Sequence, residues 1–122
     1  MKKRVLLIDP IYNPGTIPKN IPLCKIAAGL IYCAYEVLTL DFLRPECECR
    51  DLAFFKSEEK KLVDKAVGLS SNVDFVYITT GTGNELKPYP VFPRIKSMVL
   101  KLKKEVPNVK ILVGGALINL CV

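Results

Sequence analysis

The chain of 122 residues contains no histidine and no tryptophan. Without an imidazole it cannot form a Ser-His-Asp or Cys-His catalytic system, a His general base, or a His-ligated zinc or haem site. Long hydrophobic runs are also missing, since the longest, Ile26–Ala34, is about half of the ~18 residues that span a bilayer. The run Val5–Ile8, after the basic N-terminus, is too short for a signal peptide. We therefore expect a cytoplasmic domain with no membrane partner.

Positive charge is in excess, with 18 Lys and Arg against 12 Asp and Glu. These basic residues are not gathered into a nucleic-acid-binding stripe. The late predicted helix that carries several lysines has no aromatic side chains between them for stacking on bases. A solvated helix face is the favoured interpretation, and we expect no nucleic-acid partner.

The five cysteines do not form a recognisable metal or disulfide pattern. An odd number of cysteines without a signal peptide is typical of reduced thiols. Cys47 and Cys49 form a C-x-C pair, but no second pair at metal spacing completes four ligands, so no metal ligand is predicted. Cys24 and Cys33 fall in an apolar helical stretch and are expected to be small core residues.

Strand and helix patterns alternate along the sequence. Short β-rich runs predict strands at 4–8, 36–42, 74–79 and 109–113, and apolar residues at helical spacing predict helices at about 22–34, at 57–67 and from 93 to before Pro107. Such β-α-β units force parallel pairing with right-handed crossovers. We predict a single α/β domain over residues 1–122, a flavodoxin-like (Rossmann-type) three-layer sandwich. Its parallel sheet has at least four strands in the order 2-1-3-4.

Two long loops rich in proline and glycine, 9–20 and 80–90, follow the first and third predicted strands. These strands are neighbours in the predicted order, and such sheets bind ligands beyond the carboxyl ends of strands where the order reverses. The loops contain no P-loop, no dinucleotide fingerprint and no phosphoacceptor acids. A single glycine there would indicate only a tight turn, but several on one edge favour a binding site for a large ligand held by hydrogen bonds and surface contact. No catalytic residue is predicted, and the candidate binding residues are Asp9, Tyr12, Asn13, Thr79, Thr80, Gly81, Thr82, Gly114 and Gly115.

Each of five segments is by itself generic for folds of this type, but their order and spacing along the chain are more specific. They are KRVLLIDPIY at 3–12, IPLCKIAAGL at 21–30, YEVLTLD at 35–41, VDFVYITT at 73–80 and PNVKILVGGA at 107–116. Together they resemble the N-terminal cobalamin-binding domain of cobalamin-dependent radical S-adenosylmethionine enzymes.

The resemblance implies a corrin ring on the carboxyl edge of the sheet, with its nucleotide tail reaching down beside the third strand. By position, Thr79 and Thr80 would contact the tail, and Gly114 and Gly115 would line its slot. The loop at 9–20 would approach the lower face of the corrin. Because the chain has no histidine, cobalamin would bind without a protein imidazole on its cobalt.

The resemblance also implies parts that this sequence does not contain. The C-x-x-x-C-x-x-C motif of an iron–sulfur cluster is absent, and the chain stops about one strand and one helix short of the family's domain. The sequence therefore predicts an N-terminal fragment of a longer protein. A downstream radical domain of the same polypeptide would be its partner, would hold the iron–sulfur cluster and S-adenosylmethionine, and would carry out a reaction expected to be a methyl transfer.

Two alternatives stay open at this point. A degenerate domain that binds no cofactor could serve as a scaffold or interaction module, because a missing last strand would leave an exposed sheet edge for pairing, including dimer formation. A flavin or a nucleotide could instead occupy the same edge. The residues do not indicate a substrate.

Overall fold

The computed structural model describes residues 3–12, 21–43, 52–79 and 91–114. Within them the chain forms one parallel sheet with the strand order β2-β1-β3-β4, which confirms the predicted α/β flavodoxin-like fold. None of the helices in this part of the chain is long and apolar enough to cross a membrane. The elements are β1 (Arg4–Tyr12), α1 (Ile21–Tyr32), β2 (Glu36–Leu43), α2 (Leu52–Ser70), β3 (Phe75–Thr79), α3 (Val91–Glu105) and β4 (Lys110–Gly114).

The sheet is the middle layer of three. Alternation along β1 sends Leu6 and Ile8 to one face of the sheet and Val5 and Leu7 to the other. Val5 and Leu7 pack against Leu23 of α1 on what we call the α1 face. The opposite face packs against α2 and α3 in the larger core cluster, which consists of Leu6, Ile8, Leu62, Ala66, Val76, Ile78, Ile95, Met98 and Leu102.

β1 is longer than predicted, because the strand continues through Pro10. Its ladder with β3 ends where Ile8 pairs with Ile78, but its ladder with β2 runs on to Tyr12. Past Ile8 the strand therefore has a neighbouring strand on one side only. A proline, which has no N–H to donate to a ladder, is tolerated at such a position.

α2 is longer than predicted at both ends. The predicted bounds of 57–67 are wrong, because Ser57 and Gly68 both lie inside the helix. The apolar stripe of Leu62 and Ala66 continues into Leu69, which packs against the core beyond the glycine. Burial of this stripe outweighs the cost of about 1 kcal/mol for a glycine in a helix interior.

α1 ends in a Schellman motif with an alanine at the usual glycine position. The N–H of Tyr35 donates to the carbonyl of Leu30 at 2.9 Å, and the N–H of Ala34 donates to the carbonyl of Ile31 at 3.0 Å. Ala34 has a φ of 69°, in the left-handed region where glycine is the normal occupant. The motif places Tyr35 on the α1 face of the sheet together with Leu30.

The prediction that Cys24 and Cys33 are core residues is wrong. Both thiols are free and exposed. The sheet-facing positions of α1 are instead taken by Leu23, Ala27 and Leu30. Cys24 is next to Leu23 on the flank of the helix, and Cys33 follows the last residue of α1, so neither thiol takes a sheet-facing position.

Candidate functional site

The structure brings Asp9, Thr79 and Gly114 together at the carboxyl edge of the sheet. Thr79 pairs with Gly114, and Asp9 follows Ile8, which pairs with Ile78. Alternation along the strands puts all three on the α1 face. Asp9 and Thr79 are buried, with 6% and 5% of their surface exposed. The described part of the site is therefore built from the ends of β3 and β4 and from the point on β1 where its pairing with β3 stops.

Most of the other predicted binding residues lie outside the part of the chain that the structure describes. Tyr12 is the last residue of β1. Among the described residues, no group of three or more His, Cys, Asp or Glu side chains lies close enough to hold a metal ion. Asn13, Thr80, Gly81, Thr82, Gly115 and the C-x-C pair lie outside the described residues.

The space above Gly114 is filled by the ring of Tyr77. A Cβ at position 114 would lie 2.6 Å from the Oη of Tyr77 and 3.1 Å from its Cε2, so this close approach requires glycine. The expectation that Gly114 leaves room for a ligand is corrected here, because the chain's own side chain takes that room.

An apolar groove opens below this edge on the α1 face, between α1 and the sheet. Its volume is about 260 Å³. Cavities that enclose a whole drug-sized ligand measure roughly 300–1,000 Å³, so this groove suits one planar ring system or a short side chain. The lining residues are Val5, Leu7, Ile26, Leu30, Tyr35, Phe75, Tyr77 and Leu112.

Tyr35 and Tyr77 are the groove residues that carry a hydroxyl, and the hydroxyl of Tyr77 lies over Gly114. Burial raises the pKa of the Tyr77 phenol above its ordinary value of 10.0. The phenol is therefore protonated at neutral pH and can donate a hydrogen bond to a bound molecule.

We expect Tyr77 to make the protein less stable as the pH rises above about 10. The unfolded chain releases the phenol proton near its ordinary pKa of 10.0, whereas the folded chain retains it, so alkali favours unfolding. In an ultraviolet titration, one phenolate should form at a higher pH than an exposed tyrosine does, and Tyr77→Phe should remove this high-pH component. Tyr32→Phe, at a position that is 93% exposed, is the matched control and should leave this component in place. A high-pH component that survives Tyr77→Phe would contradict the assignment.

A buried arginine lies at the same edge of the sheet, on the face that packs against α2 and α3. Arg94, near the start of α3, is 1% exposed. Its Nη1 donates to the carbonyl of Pro10, and its Nε lies 3.6 Å from the Oε2 of Glu59 on α2. Arg94 therefore links α3 to β1 through this hydrogen bond and to α2 through the ion pair.

Sequence reasoning missed both the groove and Arg94. The alternation of β3 carried a usable signal for the groove, because it places Tyr77 on the same face as Phe75 and Thr79. No comparable signal relates Arg94 to Glu59, since the two residues lie on different helices and at no recurrent spacing.

No family model, curated protein or solved structure matches this chain. The chemistry available to the site is therefore inferred from its own geometry. The rim offers the side chains of Asp9 and Thr79, and the groove offers apolar contact together with the phenol rings of Tyr35 and Tyr77. Such a site can hold a flat, mostly apolar group and orient it by hydrogen bonds.

Proposed function

We propose that this domain binds cobalamin, with the groove on the α1 face taking the nucleotide tail. The observation that supports this most strongly is the groove itself, because it lies beside β3 and below the carboxyl edge, where the resemblance expects the tail. A nucleotide base is planar and partly apolar, so it suits a groove of about 260 Å³ lined by Leu30, Tyr77 and Leu112. The corrin ring is too large for this space and would lie outside it.

The residues of the edge have distinct roles in this proposal. Asp9 and Thr79 would border the entrance to the groove, since Thr79 ends β3 and Asp9 follows the last residue of β1 that pairs with β3. Tyr77, which covers Gly114, would form one wall of the path of the tail and donate a hydrogen bond to it. Thr80 and Gly115, which the resemblance also implies, lie outside the described residues.

Cobalamin, when bound, supplies methyl-transfer chemistry at its cobalt. The part of this chain is to bind and orient the cofactor, and it offers no histidine as a cobalt ligand. The proposal includes a downstream radical S-adenosylmethionine domain of the same polypeptide, which would hold the iron–sulfur cluster, a methyltransferase reaction and a cytoplasmic location.

Titration with hydroxocobalamin tests the proposal. Ile26 lines the groove, whereas Ile31, on the same helix, does not line it and is 61% exposed. Ile26→Trp should therefore fill part of the groove and weaken binding about tenfold or more, while Ile31→Trp, the matched control, should bind as the wild type does. Because the chain has no tryptophan of its own, the new indole in Ile31→Trp also reports binding by fluorescence quenching.

Three outcomes would count against cobalamin. No absorbance change at high micromolar hydroxocobalamin, in both the wild type and Ile31→Trp, would reject the binding claim. A stable oligomer in gel filtration that cobalamin does not affect would favour the scaffold alternative, with β4 as the sheet edge that pairs. A yellow purified protein would point to a flavin at the same edge.

A further inference from the structure

Most of the net positive charge of the chain lies on α3. This helix contains five basic residues and one acidic residue, which gives it +4 of the chain's net charge of +6. α2, which packs beside α3, contains four basic and three acidic residues and is close to neutral. The acidic residues of the two helices are Glu58, Glu59, Asp64 and Glu105. The excess charge is therefore concentrated on one helix, on the face of the sheet opposite to the groove.

The lysines of α3 lie on the side of the helix that is turned away from the sheet. The inner side is buried and consists of Arg94, Ile95, Met98 and Leu102. On the outer side Lys96, Leu100 and Lys103 follow one another at i, i+4 and i+7 spacing, and all three are exposed. Lys104 is exposed one turn after Leu100. We call Lys96, Leu100, Lys103 and Lys104 the lysine face.

The charge of the lysine face is not neutralised locally. Among the residues that the structure describes, none of its three lysines forms an ion pair. The buried cation of the helix, Arg94, is the one that lies beside Glu59. Leu100, between the lysines, is 58% exposed. The lysine face therefore combines a cluster of ammonium groups with one protruding apolar side chain.

The type of basic residue indicates the kind of surface that this face suits. α2 and α3 together contain eight lysines, and their one arginine, Arg94, is buried. Arginine recognises phosphates and carboxylates at fixed geometry, whereas lysine is a hydrated point charge on a flexible stem. Protein interfaces are depleted in lysine, and single-stranded nucleic acids are bound with aromatic side chains, which the lysine face does not contain. A fluid layer of anionic headgroups requires charge but no fixed geometry.

We propose that the lysine face adsorbs to an anionic membrane surface. The ammonium groups would lie among the lipid headgroups, and Leu100 would enter the boundary between headgroups and acyl chains. Each lysine close to such a surface strengthens binding about fivefold. The sequence predicts no membrane partner because no run is long enough to span a bilayer, but adsorption to the surface needs no such run. The contact leaves the groove on the opposite face accessible.

Sedimentation with lipid vesicles tests the proposal on the full chain. We expect binding to vesicles of phosphatidylcholine and phosphatidylserine, in a ratio of about two to one, that is lost on vesicles of phosphatidylcholine alone and weakened by added salt. Lys96→Gln/Lys103→Gln should weaken this binding about tenfold or more. Lys25→Gln/Lys110→Gln is the matched control, because it removes the same charge from exposed positions on α1 and β4, and it should weaken binding less than about threefold.

A tryptophan at position 100 reports whether this face meets the lipid. The chain has no tryptophan of its own, so the emission of Leu100→Trp comes from the new indole alone. It should shift to shorter wavelength when phosphatidylserine vesicles are added. Ile31→Trp places the indole at a position that is 61% exposed on α1, on the other side of the sheet, and its emission should stay unchanged. All the substituted positions are exposed, so the variants should fold, which circular dichroism checks.

The proposal is wrong if the protein does not bind phosphatidylserine vesicles, or if the two lysine double variants lose binding equally. An emission shift in Ile31→Trp but not in Leu100→Trp would assign the contact to the other side of the sheet. Tighter binding to polyglutamate or duplex DNA than to vesicles, at equal negative charge, would assign the lysine face to a soluble polyanion. Vesicles and hydroxocobalamin are separate probes, so the failure of either proposal leaves the other standing.

Discussion

Replacing Arg94 with methionine is expected to lower the free energy of unfolding by about 3–5 kcal/mol. The substitution keeps an apolar side chain of similar length but removes the guanidinium. The carboxylate of Glu59 then loses its buried cation, and the carbonyl of Pro10 loses the N–H that Arg94 donates. Water can replace little of this, because the Arg94 and Glu59 side chains are only 1% and 19% exposed. Urea unfolding followed by circular dichroism measures the change.

Two variants control this result. Lys101→Met removes a positive charge from an exposed position of the same helix, and it should change the free energy of unfolding by no more than about 0.5 kcal/mol. The double variant Arg94→Met/Glu59→Leu should regain part of the lost stability, because neither partner then remains as an isolated charge. If Arg94→Met unfolds at the same urea concentration as Lys101→Met, the ion pair beneath the edge does not stabilise the fold.

Gly114→Ala is expected to lower the free energy of unfolding by about 1–3 kcal/mol, the usual cost of overpacking. The new methyl group would meet the Tyr77 ring at 2.6 Å from Oη and 3.2 Å from Cζ, so the ring has to move. Because Tyr77 also lines the groove, the same variant should alter hydroxocobalamin binding if the groove takes the nucleotide tail.

The controls separate the Tyr77 contact from the general effect of replacing a glycine. Gly29→Ala, in a helix and with open space around the new Cβ, should instead raise stability by about 0.5–1 kcal/mol. In a Tyr77→Leu background Gly114→Ala should cost less, since the atoms that it meets are gone. An equal cost in both backgrounds would show that the Tyr77 ring is not what makes glycine necessary at this position.

The strand order of this domain is predictable from sequence, because strand–helix–strand units of this length allow only parallel pairing with right-handed crossovers. Boundaries set by local signals, such as the end of α3 before Pro107, are predictable for the same reason. Predictions failed where tertiary contacts outweigh a local signal. Gly68 does not end α2 because Leu69 is packed against the core. Pro10 does not end β1 because it lies at a register shift in the ladder with β2, where a proline is tolerated.

The candidate site also has features that the sequence predicts and features that tertiary packing decides. That Asp9, Thr79 and Gly114 share an edge follows from topology, since the carboxyl ends of parallel strands lie together. The closure of the space over Gly114 depends on the rotamer of Tyr77, and the burial of Arg94 depends on how α2 and α3 pack. Both are outcomes of packing between segments far apart in the chain, which neither periodicity nor motif spacing encodes.

The sheet forks at its carboxyl edge, because β1 leaves β3 after Ile8 and stays with β2 as far as Tyr12. Beyond Ile8, the carbonyl of Pro10 accepts a hydrogen bond from the side chain of Arg94, at a point where β3 no longer pairs with β1. This hydrogen bond connects the last part of β1 to α3. The Arg94 guanidinium therefore adds a polar link between α3 and the backbone next to Asp9 to the apolar packing of Ile95 and Met98 against the core.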